Sequence, residues 1–457
     1  MAQFGKEEIA NLTEVIESGV FCDKRGGFMD QFRSEFARTL GARHAIAGGA
    51  AMLLMQAIPG AIGAGAGDEI IVDPVVQFHA IACLWNNIVP SWADVRADDF
   101  LMDPESVEKR ITKRTKAIWV THLWGFAAEV DRLREIADRH GIFLLEDCAH
   151  SILATYKGRP LGTYGHFGTF SFNMCKQLPT GEGGMAVCDD DRLAFELDRR
   201  IIFGESPEVL SSNYRMTEFQ AAVGVAQLAK LPGYLRVFQQ GREILDEAIT
   251  GCAWLDPRPS APNSVVAPYT WSCLFHGERT GVPYGVFKAA MRQAGGEFGF
   301  GFMQQPGYLY EIFRRPNAYG NTGCPYDCGH YDAVVDWKPG LCPVAEDVIP
   351  RIVSTNNMSL DLASYRRRAA IMKTAIDLAE RRAVESLQYD ETELRVLDLV
   401  KEHGPLEPLE AAALFDRKGW GHLDEMGMLA AMEGLRQRYP RKLSHAGPRK
   451  FAYHELA

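Results

Sequence analysis

Between about residues 45 and 190, short apolar runs alternate with amphipathic stretches, and no other feature of the chain constrains its fold as strongly. Such alternation predicts strands of a largely parallel sheet covered by helices. Candidate strands are Glu69 to Val72, Ala117 to Val120 and Ile142 to Leu145. Between them, Pro104 to Ile111 and Glu129 to His140 carry apolar residues at helical spacing and polar caps. A further helix is expected from about Met216 to Lys230, stopped by Leu231-Pro232-Gly233, because proline cannot continue a helix and glycine suits its end. These signals predict a large α/β domain over residues 1–233 and a smaller α+β domain over 234–385. Residues 386–457 read as a helical appendage of short helices with a basic end that includes Arg438, Arg441, Lys442, Arg449 and Lys450.

A chain of 457 residues exceeds the size at which single cores usually split, in keeping with several domains. The net charge of −10 argues against a nucleic-acid or anionic-membrane surface, which wants clustered Lys and Arg. Small-molecule partners fit better. The start, MAQFGKEEIANL, lacks the basic and apolar regions of a signal peptide, and no apolar run reaches bilayer length, so a cytoplasmic protein is expected. Ten scattered cysteines read as thiols of a reducing compartment. Cys324, Cys328, His330 and Cys342 lie close in sequence, but their spacing matches no paired CxxC pattern and no metal is expected. Gly63-Ala-Gly-Ala-Gly67 precedes a strand, whereas a dinucleotide loop must follow one, so it reads as a helix-to-strand turn.

The chemistry is concentrated in Leu144 to Cys188, LLEDCAHSILATYKGRPLGTYGHFGTFSFNMCKQLPTGEGGMAVC. An apolar strand ends in Glu146-Asp147, which puts an acid at the carboxyl edge of the sheet, where open α/β folds bind ligands and where it can pair with a protonated ring nitrogen. Lys176 follows Phe170-Ser171-Phe172 in a run too apolar for a solvated face. Burial there would destabilise its ammonium and free an amine nucleophile. Thr180-Gly-Glu-Gly-Gly184 supplies a tight turn back into a strand near Met185. Each element alone has a blander reading, as a cap, a solvated lysine or a loop. Their order favours the chemical one.

Asp, then Ser and Lys five apart, then the glycine turn, resembles the DegT/DnrJ/StrS sugar aminotransferase family within the fold-type I pyridoxal-phosphate enzymes. Further segments are similar to that family in sequence order: GAGDEIIVDPVVQFHAIA, KRTKAIWVTHLWGFAAEVD, SSNYRMTEFQAAVGVAQLAKL and LCPVAEDVIPRIVS. The resemblance covers nearly all of residues 1 to 385. It implies pyridoxal 5'-phosphate as cofactor, with pyridoxamine 5'-phosphate as its aminated form. Lys176 would hold the cofactor as a Schiff base and move the proton, and Asp147 would keep the ring nitrogen protonated. Phe78 would stack on the ring, and Ser171 with the helix opened by Gly49, Ala50 and Ala51 would bind phosphate. Asn213 would reach in from a second subunit, which implies a homodimer. Arg215 is the candidate for a donor carboxylate.

Two departures stand out: Ala50 replaces the family's usual hydroxyl residue, and His150 its usual glutamine. The implied reaction moves an amino group from glutamate or glutamine to a keto-sugar, nucleotide-linked, or to a keto-cyclitol. The rival readings are a pyridoxamine-dependent sugar dehydratase, against which Lys176 counts, and a non-catalytic binding protein.

Overall fold

The computed structural model describes residues 3–386 apart from 23–25, 205, 297, 315–317, 321, 328, 336 and 356–357. Beyond them it describes 396, 399, 403, 406–418, 424–438, 443–447 and 450–453. Seven strands form the central sheet: β1 (His44–Gly48), β2 (Glu69–Val72), β3 (Val89–Trp92), β4 (Thr115–Thr121), β5 (Phe143–Asp147), β6 (Phe167–Ser171) and β7 (Gly184–Cys188). Their spatial order is β1-β7-β6-β5-β4-β2-β3. Only β7 runs antiparallel to its neighbours, and the pairs from β6 to β3 are all parallel. Helices cover both faces, as the apolar content of the strands requires, since β2, β6 and β7 are buried along their whole length.

The expected strands and helices of the first 190 residues are present, within two residues at most of their ends. Gly63 and Gly67 lie in the turn between a helix and β2, both with positive φ. The expectation for the next helix fails. It runs unbroken over Glu218–Ile249, through Pro232 and Gly233. A helix-interior proline costs about 3 kcal/mol. On either side of it Leu231 is buried in the core around the large sheet, and Tyr234, Phe238 and Leu245 are buried in a second core. Burying each such side chain is worth roughly 1.5–3 kcal/mol, so packing outweighs the lost backbone bond. The two cores exchange at this proline without a break in the helix.

The second core also takes a four-stranded antiparallel sheet, Leu255–Pro257, Ser272–Phe275, Ile352–Ser354 and Gly299–Phe300, with helices Tyr284–Gln293 and Leu362–Ser386. Part of the 234–385 stretch returns to the large core, where Tyr308, Phe313, Cys342 and Ile349 are buried.

In the appendage, helices Pro408–Arg417 and Glu425–Arg438 close a third small core around Leu406, Phe415 and Met432. The helix Glu425–Arg438 lies on Tyr284–Gln293, where Gly285 leaves room for the Glu433 side chain. The basic end is not helical throughout: Leu443–Gly447 and Lys450–Tyr453 pair as antiparallel strands. Phe451 and Tyr453 favour a pleated strand, a signal that the helical reading passed over. Arg441, Lys442 and Arg449 lie outside the described residues, as does Cys328. Cys324 corrects the thiol reading, being disulfide-bonded in a half-buried turn. Cys342 is a buried thiol directed at the Trp92 carbonyl, and His330 is exposed. No described helix is long and apolar enough to cross a membrane.

Candidate active site

Side chains from several elements meet at the carboxyl edge of the parallel strands. Neighbouring residues of a strand point to opposite faces, so the two acids that end β5 are sent to different tasks. Glu146 is buried, and its Oε2 accepts hydrogen bonds from His122 Nε2 at 2.9 Å and the Gly162 N–H at 2.7 Å. His122 Nδ1 takes the Ala128 N–H at 3.2 Å, which leaves the ring proton on Nε2 and makes His122 the donor. This pair is structural.

Asp147 is only 3% exposed, and its Oδ1 accepts the Ala149 N–H at 2.9 Å. Burial raises its carboxyl above the usual carboxylate range, while the Ala149 N–H and the charges of His79 and Lys176 oppose the shift. In register, Asp147 stands between Thr121 of β4 and Thr169 of β6.

Lys176 projects from a closed loop between β6 and β7. Its N–H donates to Asn173 O at 2.8 Å, Met174 N–H to Gly181 O at 2.8 Å and Thr180 N–H to Phe172 O at 2.8 Å. Gly181 takes φ 92°, which a residue with a side chain rarely adopts. Thus the glycine turn does hold the lysine in place. Its Nζ lies 4.8 Å from the centroid of the Tyr269 ring, and no described carboxylate forms an ion pair with it. Desolvation pulls the ammonium down to about 8, with the Asp147 charge acting the other way.

Tyr269 was not singled out by the sequence reasoning. Its ring stacks on His150, with centroids 4.3 Å apart and planes at 14°. Gln177 braces the same wall, donating to the His150 and Ala267 carbonyls at 2.8 and 3.0 Å. Burial, then Lys176 and Arg258, hold His150 neutral, far below the ordinary imidazole value. Its Nδ1 is buried without a hydrogen-bond partner.

Ser171 ends β6, buried, in register with Gly184, which in turn pairs with Gly48. The helix Ala51–Ala61 begins beside them, with Ala50 as an N-cap that makes no side-chain bond. A Cβ on Gly184 would stand 2.5 Å from the Ala51 nitrogen, so the bare glycine lets the helix N-terminus approach the strand. Gly49 donates its N–H to Tyr214 O at 2.7 Å. Phe78 opens the helix Phe78–Trp85 after β2, its ring about half exposed. Asn213 is exposed, and its Oδ1 accepts from Arg215 Nε at 3.0 Å, so the two side chains assigned to separate tasks are bonded to each other.

The model of the DegT/DnrJ/EryC1/StrS aminotransferase family matches residues 2–325. The chain belongs to that family. Among relatives within it, the spore coat polysaccharide biosynthesis protein SpsC of Bacillus subtilis is 36% identical over 244 residues, which are 50% of this chain and 62% of SpsC. An L-glutamine:2-deoxy-scyllo-inosose aminotransferase of Streptomyces paromomycinus is 31% identical over 352 residues, 72% of this chain and 81% of its own length. The chain thus spans less than two thirds of the SpsC length. The aminotransferase structure from Psychrobacter cryohalolentis superposes with a TM-score of 0.72 at 24% identity, over 82% of this chain and 98% of that one, which shows the shared fold.

The family implies a pyridoxal phosphate cofactor, and the residues fit it. A buried carboxylate, a desolvated amine and a neutral imidazole with an open nitrogen flank one position. The cradle that a Cβ on Gly184 would close, at the helix N-terminus, suits an anion. The missing hydroxyl at Ala50 leaves this part to backbone N–H groups.

Proposed function

We propose that the chain transfers an amino group from glutamine or glutamate to a keto-cyclitol or a nucleotide-linked keto-sugar, with pyridoxal 5'-phosphate bound at this site. The observation that carries the reading is a desolvated, weakly basic Lys176 whose Nζ lies 4.8 Å from the Tyr269 ring that stacks on His150, with the buried Asp147 carboxyl acting on its charge. When bound, the cofactor supplies an aldehyde carbon and a protonated ring that accepts electrons. Lys176 attaches it and later carries a proton at Nζ between donor and cofactor carbons. Asp147 keeps the ring nitrogen protonated. His150 and Tyr269 form the wall beside Lys176 and keep water from its Nζ. Ser171 and the N–H groups of Ala51 and Met52 hold the phosphate. Phe78, half exposed with no described ring partner, covers the ring face.

We further infer a homodimer in which Asn213 of a second copy completes the phosphate site, with Arg215 oriented by it toward the donor carboxylate. The glutamine donor and cyclitol acceptor are supported by the name of the Streptomyces relative.

Only the neutral amine attacks an aldehyde, so the ammonium held near 8 sets the pH dependence of cofactor capture. Capture of pyridoxal phosphate by the cofactor-free chain should accelerate about tenfold per pH unit below 8 and level off above it. Stopped-flow absorbance from pH 6 to 10 measures this. A pH-independent rate would contradict the assignment of Lys176. The reaction itself is tested by adding L-glutamine to the yellow enzyme: the visible band should bleach, then return when scyllo-inosose or a nucleotide-linked keto-sugar is added. Mass spectrometry should find the acceptor aminated. Persistent colour with every donor would leave only a binding protein.

A further inference from the structure

Asp147 is not the only acid at this depth. Asp73, one residue past the end of β2, is 3% exposed, and His79, one residue into the following helix, is fully buried. Asp73 Oδ1 accepts the N–H groups of Val75 at 3.1 Å and Val76 at 3.0 Å. Its Oδ2 has no partner. His79 Nε2 lies 3.6 Å from that oxygen, just beyond hydrogen-bond length, and both ring nitrogens of His79 are unpartnered. Buried polar groups are nearly always satisfied, so three orphan atoms in one place need a reason. The reason is next to them: Val72, just before Asp73, pairs with Trp119 of β4, and Thr121, two residues further along β4, pairs with Asp147.

We propose that Asp73 and His79 are positioning residues that stand behind Asp147 and, together with it, set the proton affinity of the bound cofactor. The inference rests on the cofactor reading given above. Neutral His79, with Nε2 3.6 Å from Asp73 Oδ2, adds no positive charge of its own, and Asp73 stands ionised as a second buried negative charge. Two carboxylates stabilise a protonated ring more than one, because their potentials add in a medium that screens poorly.

The groups that face this pair are Asp147 on β5, Lys176 on the loop before β7, Thr121 on β4 and Cys342 from the far segment. Trp119 supplies an apolar wall, its ring centroid 6.2 Å from that of His79. Burial pushes Asp73 up to about 6 and His79 down to about 4, which leaves the imidazole neutral and most of the Asp73 population ionised at pH 7. Asp73 is already pushed up to about 6, so replacing the imidazole beside its Oδ2 by an apolar ring raises it further and protonates it near pH 7, and loss of either residue removes the same charge.

The test is the pH midpoint of the visible band of the holoenzyme, read by absorbance with circular dichroism as a check on folding. Asp73→Asn, which keeps shape, should lower the midpoint by about one unit, a tenfold loss of proton affinity. His79→Phe should lower it by the same amount, and the double variant no further, since both act on one charge. Each single variant reads the proposal independently if the other fails to fold. An unmoved midpoint in a folded, coloured variant overturns it, and so do additive shifts in the double variant. A wild-type chain that takes no colour from pyridoxal phosphate overturns the cofactor reading itself, and this inference with it.

Discussion

Lys176→Ala is expected to abolish the visible band that pyridoxal phosphate produces with the wild-type chain and to lower kcat/KM about 10^6-fold, the scale seen when a covalent nucleophile is removed. The size follows from two tasks held by one atom. In the proposed role Nζ both attaches the cofactor and carries the proton, and no second described lysine is placed to replace it: the groups around it are Tyr269, His150, Asp147 and Cys175. Stability should change little, since Lys176 makes no ion pair with a described carboxylate and its ammonium is disfavoured by burial. Absorbance, single-turnover kinetics with glutamine and thermal unfolding measure the three quantities. Exogenous methylamine restores part of the proton transfer if the lost group is an amine base. A variant that keeps the band would transfer the attachment to another residue and sink the assignment.

Asp147→Ala is expected to slow the first half-reaction with glutamine about 10^3-fold, or about 4 kcal/mol, the scale of one electrostatic stabiliser lost from a water-excluded site. Unlike the lysine variant, it should still take colour, because attachment needs only the amine. Asp147 has one described hydrogen-bond donor, Ala149 N–H, and is buried, so its charge is left for the ligand. Asp147→Asn should be as slow as alanine, since the amide keeps the shape but not the charge. If the asparagine variant turned over at the wild-type rate, the carboxylate would be packing and no electron sink would depend on it.

Much of this site was legible in the sequence because it lies in consecutive turns of one α/β pattern. Asp147 and Ser171 end apolar strands, and strand ends of a parallel sheet gather at one edge whatever the details of packing. Lys176 was legible as a charge in an apolar run, and Gly181 as its turn. Asp73 and His79 sit in a segment that resembles the family, yet nothing in it marks their pairing. An acid after a strand and a histidine six residues on carry no periodicity that sets them apart from a cap and a core residue. Tyr269 is further still from notice, since it lies about ninety residues beyond the lysine that it faces.

Pro232 shows the opposite error. Local chemistry there called for a helix end, and the helix continued because Leu231 and Tyr234 belong to two different cores that the helix ties together. The basic end of the chain went astray for a related reason, as strand pairing between Leu443–Gly447 and Lys450–Tyr453 is set by a partner and not by local composition.

The sequence by itself determined the parallel sheet, the edge where its strands end, and the lysine and acid proposed to act there, because these rest on periodicity, strand ends and short turns that act over a few residues. The tertiary structure decided the rest: the ring of Tyr269 under Nζ, the neutral state of His150, the buried pair behind Asp147 and the helix that crosses from one core to the other. Those depend on desolvation and on contacts between distant segments, and burial is a property of the folded surroundings that no local pattern carries.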